Sequence, residues 1–316
     1  MNICSGKERG ELQMKKETRI KIYTHNDLDG FMCYYILEKA FYGNAKISVY
    51  YTQPYKVYND IFRDDVIDMY DAVYITDLGI SNKEYQELMT EFKNLVFIDH
   101  HDNGIDNTKF KNRSYINTSV SACLCTFRCV KNLLSSSYTE DELKRLSSIL
   151  KLVSDYDTGV WMTSGNYFPE KINRAFHILS KSEFMEIVDR YVFDNDLSLL
   201  NTYNDLIDSN RKEDIKAIKN INTFETIYND HKIIVVDSDV VKLNSFQIRK
   251  LFDLTGCSII FIYNKNNATI KARTRGVNLF ELLNKRTKGH ATACTFRMDH
   301  VPLLDKIIKN SRLSIC

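Results

Sequence analysis

Proline and glycine are scarce, three and eleven in 316 residues, and neither a low-complexity tract nor an internal repeat is found, which argues against repeat and fibrous architectures. No apolar run approaches the roughly 20 residues that a membrane-spanning helix needs, so no membrane partner is expected. The opening MNICSGKERGELQMKK has no apolar signal core, which predicts a cytoplasmic rather than a secreted protein. Residues 1–13 carry no apolar period, so Met14 reads as a natural beginning before the first strand near Arg19. The eight cysteines, at 4, 33, 123, 125, 129, 257, 294 and 316, are scattered in a chain too large to need disulfides, and reduced thiols are expected. Cys123, Cys125 and Cys129 sit in a helical context without a second CxxC or a His pair, so they read as buried thiols rather than a zinc site.

Net charge is also small, +2, but it is unevenly placed. Between Lys242 and Arg312 there are 14 Lys and Arg against 4 Asp and Glu, a net of +10, which leaves −8 on the rest of the chain. An acidic body suits metal binding, and a basic C-terminal part suits a phosphate-bearing substrate. Charge asymmetry alone is equally compatible with a solvated surface.

What is present is an alternation of strand and helix. The runs 20–24, 46–52, 72–76 and 95–98 are rich in β-branched and aromatic residues, as buried strands of a parallel sheet are. Helical stretches at 30–42 and 81–92 separate them, which predicts βαβ units. Segments 119–134 and 139–153 read as two further helices, the second opened by a Thr139–Glu142 capping box. Residues 169–222 look mostly helical and polar, as a long connector would. From residue 223 a second αβ region is expected, with strand pairs FETIY/KIIVV around Asn229-Asp230 and SIIFIY/ATIKAR around an Asn-rich turn. Helices are expected there at 244–254, 277–286 and 290–296.

Polar clusters follow directly on three of the strands: His25-x-Asp27-x-Asp29-Gly30, then Asp77, then Asp99-His100-His101. A further Ser-Asp155-Tyr-Asp157-Thr-Gly cluster lies downstream. Ligands bind open α/β sheets beyond the carboxyl ends of the strands. Alternate residues of an extended segment share a face, so His25, Asp27 and Asp29 can converge. Two of these three can serve one ion while the third reaches a neighbour. Asp77 can bridge both ions, and His100 and Asp157 can complete the second. Packed carboxylates repel one another and lose hydration, so a cation is their natural partner. Singly, each cluster is an ordinary turn, helix cap or buried His pair. Together, in this order and at strand ends, they favour a two-cation site of the kind that hydrolyses phosphoesters. Mixed imidazole and carboxylate ligands favour Mn²⁺, with Mg²⁺ the alternative.

The segments THNDLDG, ITDLG, FIDHHD and SDYDTG resemble the four motifs of the DHH phosphoesterases. KARTRGVNLFELLNKRTKGHATAC resembles the DHH-associated C-terminal domain. The resemblance covers residues 19–300. It implies an α/β fold, with a parallel-sheet DHH domain over 15–195, a helical connector over 196–222, a smaller αβ substrate-binding domain over 223–316, and the active site in the cleft between the domains. By family pattern His25, Asp27 and Asp77 hold one ion; Asp29, Asp77, His100 and Asp157 hold the other. Asp155 is the alternative fourth-motif ligand, and an extended segment would point both acids the same way. His101 would face the substrate phosphate, which with Asp77 makes the catalytic pair. Arg273, Lys288, Gly289 and His290 match the substrate-binding positions. The usual glycine-rich loop is thinned to Gly289, with Lys288 where a glycine is usual.

The expected activity is hydrolysis of short single-stranded oligonucleotides or small nucleotides by water that two divalent cations activate, as in the oligoribonuclease and nucleotide phosphatase branch. The alternatives are a RecJ-like single-strand exonuclease, a cyclic-dinucleotide phosphodiesterase and a non-catalytic nucleotide-binding regulator. A homodimer is an admissible assembly.

Overall fold

A computed structural model describes residues 18–221, 223–228, 230–237, 243–264, 269–282, 288–290 and 293–297. The N-terminal extension, including the expected start at Met14, lies outside the described residues. Five strands form the first sheet: β1 (Thr18–Thr24), β2 (Ala45–Tyr51), β3 (Ala72–Thr76), β4 (Leu95–Asp99) and β5 (Ser114–Ile116). All neighbours are parallel and the order is β2-β1-β3-β4-β5. The chain therefore winds one way from β1 to β2 and the other way from β3 onward. The crevice between β1 and β3 is the switch point where open α/β sheets take ligands. The short β5 carries only SYI, too little for a strand pattern to show in the sequence.

Both faces of the sheet's centre are covered, which is why β3 and most of β4 are apolar and buried, while β1 and the edge strand β2 carry Lys21 and Lys46. On one face Ile20, Ile22 and Ile98 pack with the helices Leu28–Ala40, Ala122–Leu134 and Glu140–Asp157. On the other, Val73, Ile75 and Phe97 meet Val57, Tyr85 and Leu88 from the helices Pro54–Phe62 and Asn82–Glu91. The Thr139–Glu142 capping box opens the helix Glu140–Asp157 as expected.

The polar stretch after residue 168 is helical, over Phe168–Ile178, Lys181–Asp194, Ser198–Thr202 and Asn204–Ile218. Its first half is no free connector. Ile172, Phe176, Phe184, Ile187 and Val192 complete the first core, because one apolar stripe suffices to dock a helix whose other faces are charged. The helix Asn204–Ile218 joins two cores: Ile207 lies in the first and Ile218 in that of the second sheet. Buried Glu170 and Arg174 fasten it, with Arg174 Nη2 2.8 Å from Asp214 and Glu170 accepting from Arg211.

The second sheet is mixed, from β6 (Thr223–Tyr228), β7 (His231–Asp237), β8 (Ile259–Asn264), β9 (Thr269–Thr274), β10 (Lys288–His290) and β11 (Ala293–Arg297), in the order β10-β11-β9-β8-β7-β6. Among the described residues only β7 and β8 run parallel, because the helix Ser245–Thr255 crosses over between them. Both expected antiparallel pairs form, and Asp230 takes the left-handed turn conformation at φ 63°. One local expectation fails. Of the helix expected over 290–296, His290 instead ends β10 and Ala293–Phe296 lie in β11, since β9 offers an open edge that pairs with ACTFR. Of the helix expected over 277–286, Leu279–Leu282 is described. Among the described residues no helix is long and apolar enough to cross a membrane.

Candidate active site

β1 ends at Thr24, and the next three residues turn the chain into the helix Leu28–Ala40. Asp27 is that helix's N-cap, accepting from Gly30 N at 3.0 Å. A Cβ on Gly30 would stand 2.3 Å from the His25 carbonyl oxygen, so only glycine lets the turn close. The turn aims His25 Nδ1 at Asp27 Oδ2, 2.5 Å away. Asp29 points elsewhere. Its carboxylate is buried and accepts from the N–H groups of Ala122 and Cys123 at 2.8 and 3.0 Å, at the N-terminus of the helix Ala122–Leu134. The unmatched donors and dipole of that helix end stabilise the buried charge.

Asp77 follows β3 with φ 55°, a left-handed conformation that Asp tolerates better than most residues. Its N–H still donates to Ile98 O at 3.1 Å, holding it beside β4. His100 follows β4, and its Nε2 lies 3.3 Å from Asp77 Oδ1, 3.4 Å from Asp157 Oδ2 and 3.9 Å from Asp29 Oδ2. The side chains of His25, Asp27 and Asp77 form one compact group, and those of Asp29, His100 and Asp157 another, with ligand atoms within 4.8 Å of each other in each. Asp77 reaches both.

The fourth motif is not extended. It is the last turn of the helix Glu140–Asp157, which runs four residues beyond the sequence expectation. Two residues apart on a helix means opposite sides. Asp157 therefore turns to His100, while Asp155 pairs with Lys151 at 3.1 Å.

His101 Nδ1 is 2.8 Å from Asp99 Oδ1, and Asp99 is fully buried. Gly79 packs against this histidine; a Cβ there would meet His101 Cγ at 2.9 Å. Burial lowers the proton affinity of His101, but the Asp99 hydrogen bond and the surrounding carboxylates outweigh it and raise the pKa to about 9. Asp99 and the helix end under Asp29 are parts of the site to which sequence reading assigns no role. Asp99 is visible as part of the motif; the helix end lies 93 residues from Asp29 and has no local signal.

Arg273 is half-buried on β9, with Nη1 3.0 Å from Ala272 O, and burial lowers its pKa. Lys288, Gly289 and His290 form β10, pairing with β11; their side chains lie outside the described residues.

The donor set fits divalent cations. Burial, then the charges of Asp27, Asp29, Asp157 and Asp99, push the Asp77 carboxyl well above the usual range. Among the described residues, the buried Asp77 Oδ2 and Asp99 Oδ2 accept no hydrogen bond. Carboxylate oxygens crowded this closely without donors are stable as anions only beside positive charge. His25, Asp27, Asp29, Asp77, His100 and Asp157 supply carboxylate and imidazole in the mixture that first-row divalent ions accept.

Residues 19–154 match the DHH family, N-terminal domain. Among solved structures, the DHH domain of a member of the s1p family of ribosomal proteins aligns over 94% of this chain and 86% of its own, at 14% identity and a TM-score of 0.58. RecJ from Thermus thermophilus, in complex with Mn²⁺, aligns over 94% of this chain and 51% of its own, at 14% identity and a TM-score of 0.56. This chain thus spans about half the length of that RecJ. At such identities the likeness concerns the fold. No curated protein matches the chain. With three of the four motifs inside the matched segment and the fourth just beyond it, residues 19–154 are similar to the N-terminal domain of the DHH family.

Proposed function

We propose that the chain hydrolyses phosphoester bonds in short oligonucleotides or small nucleotides, using two divalent cations, with Mn²⁺ preferred. His25, Asp27 and Asp77 would hold one ion and Asp29, Asp77, His100 and Asp157 the other. The observation that carries this reading is Asp77. Its carboxylate belongs to the group with His25 and Asp27 and also lies 3.3 Å from His100. A carboxylate shared in this way fits a bridging ligand. Bound there, paired cations supply Lewis acidity and a water activated for in-line attack.

The protein's own groups do the rest. The rigid strand ends β1, β3 and β4 fix the ligands before substrate arrives, so little reorganisation is needed during reaction. Asp99 holds His101 by Nδ1, which sets the ring so that Nε2 can donate to a phosphate oxygen as charge develops. Arg273, with Lys288, Gly289 and His290 of β10, would bind a terminal phosphate and position the scissile bond. The basic excess of the C-terminal part, +10 between Lys242 and Arg312, supports a polyanionic substrate. The short-substrate reading rests on how few phosphates so small a domain can contact.

The test is a panel of di- to pentanucleotides, bisphosphorylated adenosine and cyclic dinucleotides, assayed with Mn²⁺ after chelation. Turnover of the short linear substrates, lost in chelator and restored by Mn²⁺, is expected. Binding of nucleotides without turnover on any member would replace this reading with a regulatory one.

A further inference from the structure

Asp157 ends a helix of the first domain, yet the residues on either side of it are gripped by the C-terminal one. The hydroxyl of the preceding Tyr156 meets Ser245, the first residue of the helix Ser245–Thr255. After Asp157 comes the one-turn helix Trp161–Ser164. Trp161 is fully buried and stacks on Tyr156, with centroids 5.5 Å apart and planes 14° from parallel. Arg249, itself buried in Ser245–Thr255, donates from Nη1 to the Trp161 carbonyl and lies 4.2 Å over the Tyr167 ring. Arg275, two residues beyond Arg273, reaches Met162 O at 3.4 Å and Asp253 at 2.8 Å. Tyr167 in turn meets Asp253 and Lys250.

The first domain packs this helix as far as Val153 and Ser154, the latter accepting from Ser121 N at 3.0 Å, and Asp157 stands beyond them on the last turn, where helices fray unless held. Every side-chain clamp just described on 156–167 comes from one helix and one strand end across the domain junction. By contrast, Asp27, Asp29 and Asp77 are held by backbone groups of the first sheet and its helices. We infer that Arg249, acting through the Trp161–Tyr156 stack, is a positioning residue for Asp157, so that affinity for the second of the two cations depends on the C-terminal domain while affinity for the first does not. This inference rests on the two-cation reading above. Because β9 carries both Arg273 and the approach to Arg275, substrate held at Arg273 would bias the same clamp, coupling substrate and the second ion.

The experiment is a Mn²⁺ titration of the chelated full chain, with free ion read by electron paramagnetic resonance, for wild type, Arg249→Ala and Tyr156→Phe. Wild type should bind two ions. Arg249→Ala should keep one ion at wild-type affinity and weaken the other about 10- to 100-fold, as loss of an outer partner of a metal ligand does. Tyr156→Phe removes a single hydroxyl and should move the same ion in the same direction; it decides the matter if Arg249→Ala does not fold. Two ions held at wild-type affinity would overturn the inference. So would equal weakening of both, with a lower melting temperature in chelator, which is what a merely structural role predicts. A wild type that binds fewer than two ions would overturn the two-cation reading itself.

Discussion

His100 Nε2 lies 3.3 Å from Asp77 Oδ1. The residue after β4 and the residue after β3 thus meet across one strand pair, and the Asp77 N–H to Ile98 O bond of 3.1 Å keeps them in register. Two groups that read as separate motifs become one electrostatic unit beside the switch point.

Asp77→Asn should therefore remove activity and leave the fold. Asn accepts the left-handed conformation Asp77 occupies. It also deletes a crowded buried charge, so the melting temperature in chelator should equal or exceed that of wild type. Turnover with Mn²⁺ should fall about 100- to 1000-fold, the several kcal/mol that metal ions contribute. Wild-type turnover with normal metal content would refute the bridging role.

Asp157→Ala should cost far more activity than Asp155→Ala. The partner of Asp155 is an exposed lysine, so losing that pair should change stability by less than about 1 kcal/mol. Kinetics at increasing Mn²⁺ distinguish the two, since only a lost ligand shifts the metal dependence. The reverse ranking would sink the assignment.

Stability should depend on pH through a group remote from the site. Burial raises the pKa of Asp64, but hydrogen bonds from the Lys21 ammonium and the Tyr23 hydroxyl outweigh it and hold the carboxyl below its ordinary 3.8. A lowered folded value means the stabilisation is full above the unfolded one and is lost as pH falls through the folded one. Asp64→Asn should cost about 1–3 kcal/mol near neutrality. The gap in melting temperature from wild type should close in acid. A gap that persists at low pH would show that packing, not charge, is what Asp64 provides.

Substrate length is the last test. On the proposed reading the acidic part of the chain would repel a polyanion away from the cation site, so affinity would come from a few basic contacts around Arg273. Counterion release then gives a log–log salt slope of about −0.7 per single-strand phosphate contact, shallow if two or three are made. Catalytic efficiency from two to twenty nucleotides should stay nearly flat, and Arg273→Ala should raise KM and also lower kcat by misplacing the scissile bond. A steady rise with length and a steep salt slope would favour a single-strand exonuclease instead.

The first sheet and the polar residues at its rim are legible in the amino-acid sequence. β3 and β4 are nearly continuous apolar runs because both their faces are covered, β1 alternates Arg19 and Lys21 with buried isoleucines, and each hands its polar residues to the same rim. Local pattern is enough for this, since a strand's period and its end are properties of neighbouring residues. Other features belong to the folded chain, because they depend on distant partners. ACTFR becomes a strand because β9 waits beside it. The helix carrying Asp155 and Asp157 runs on past residue 153 and turns the two acids apart, when alternation alone would have aligned them. Asp29 owes its anchor to a helix end 93 residues away, and Trp161, four residues after Asp157, has its carbonyl held by Arg249, 88 residues further on. Such contacts have no period along the chain, so only the folded arrangement of its parts could reveal them.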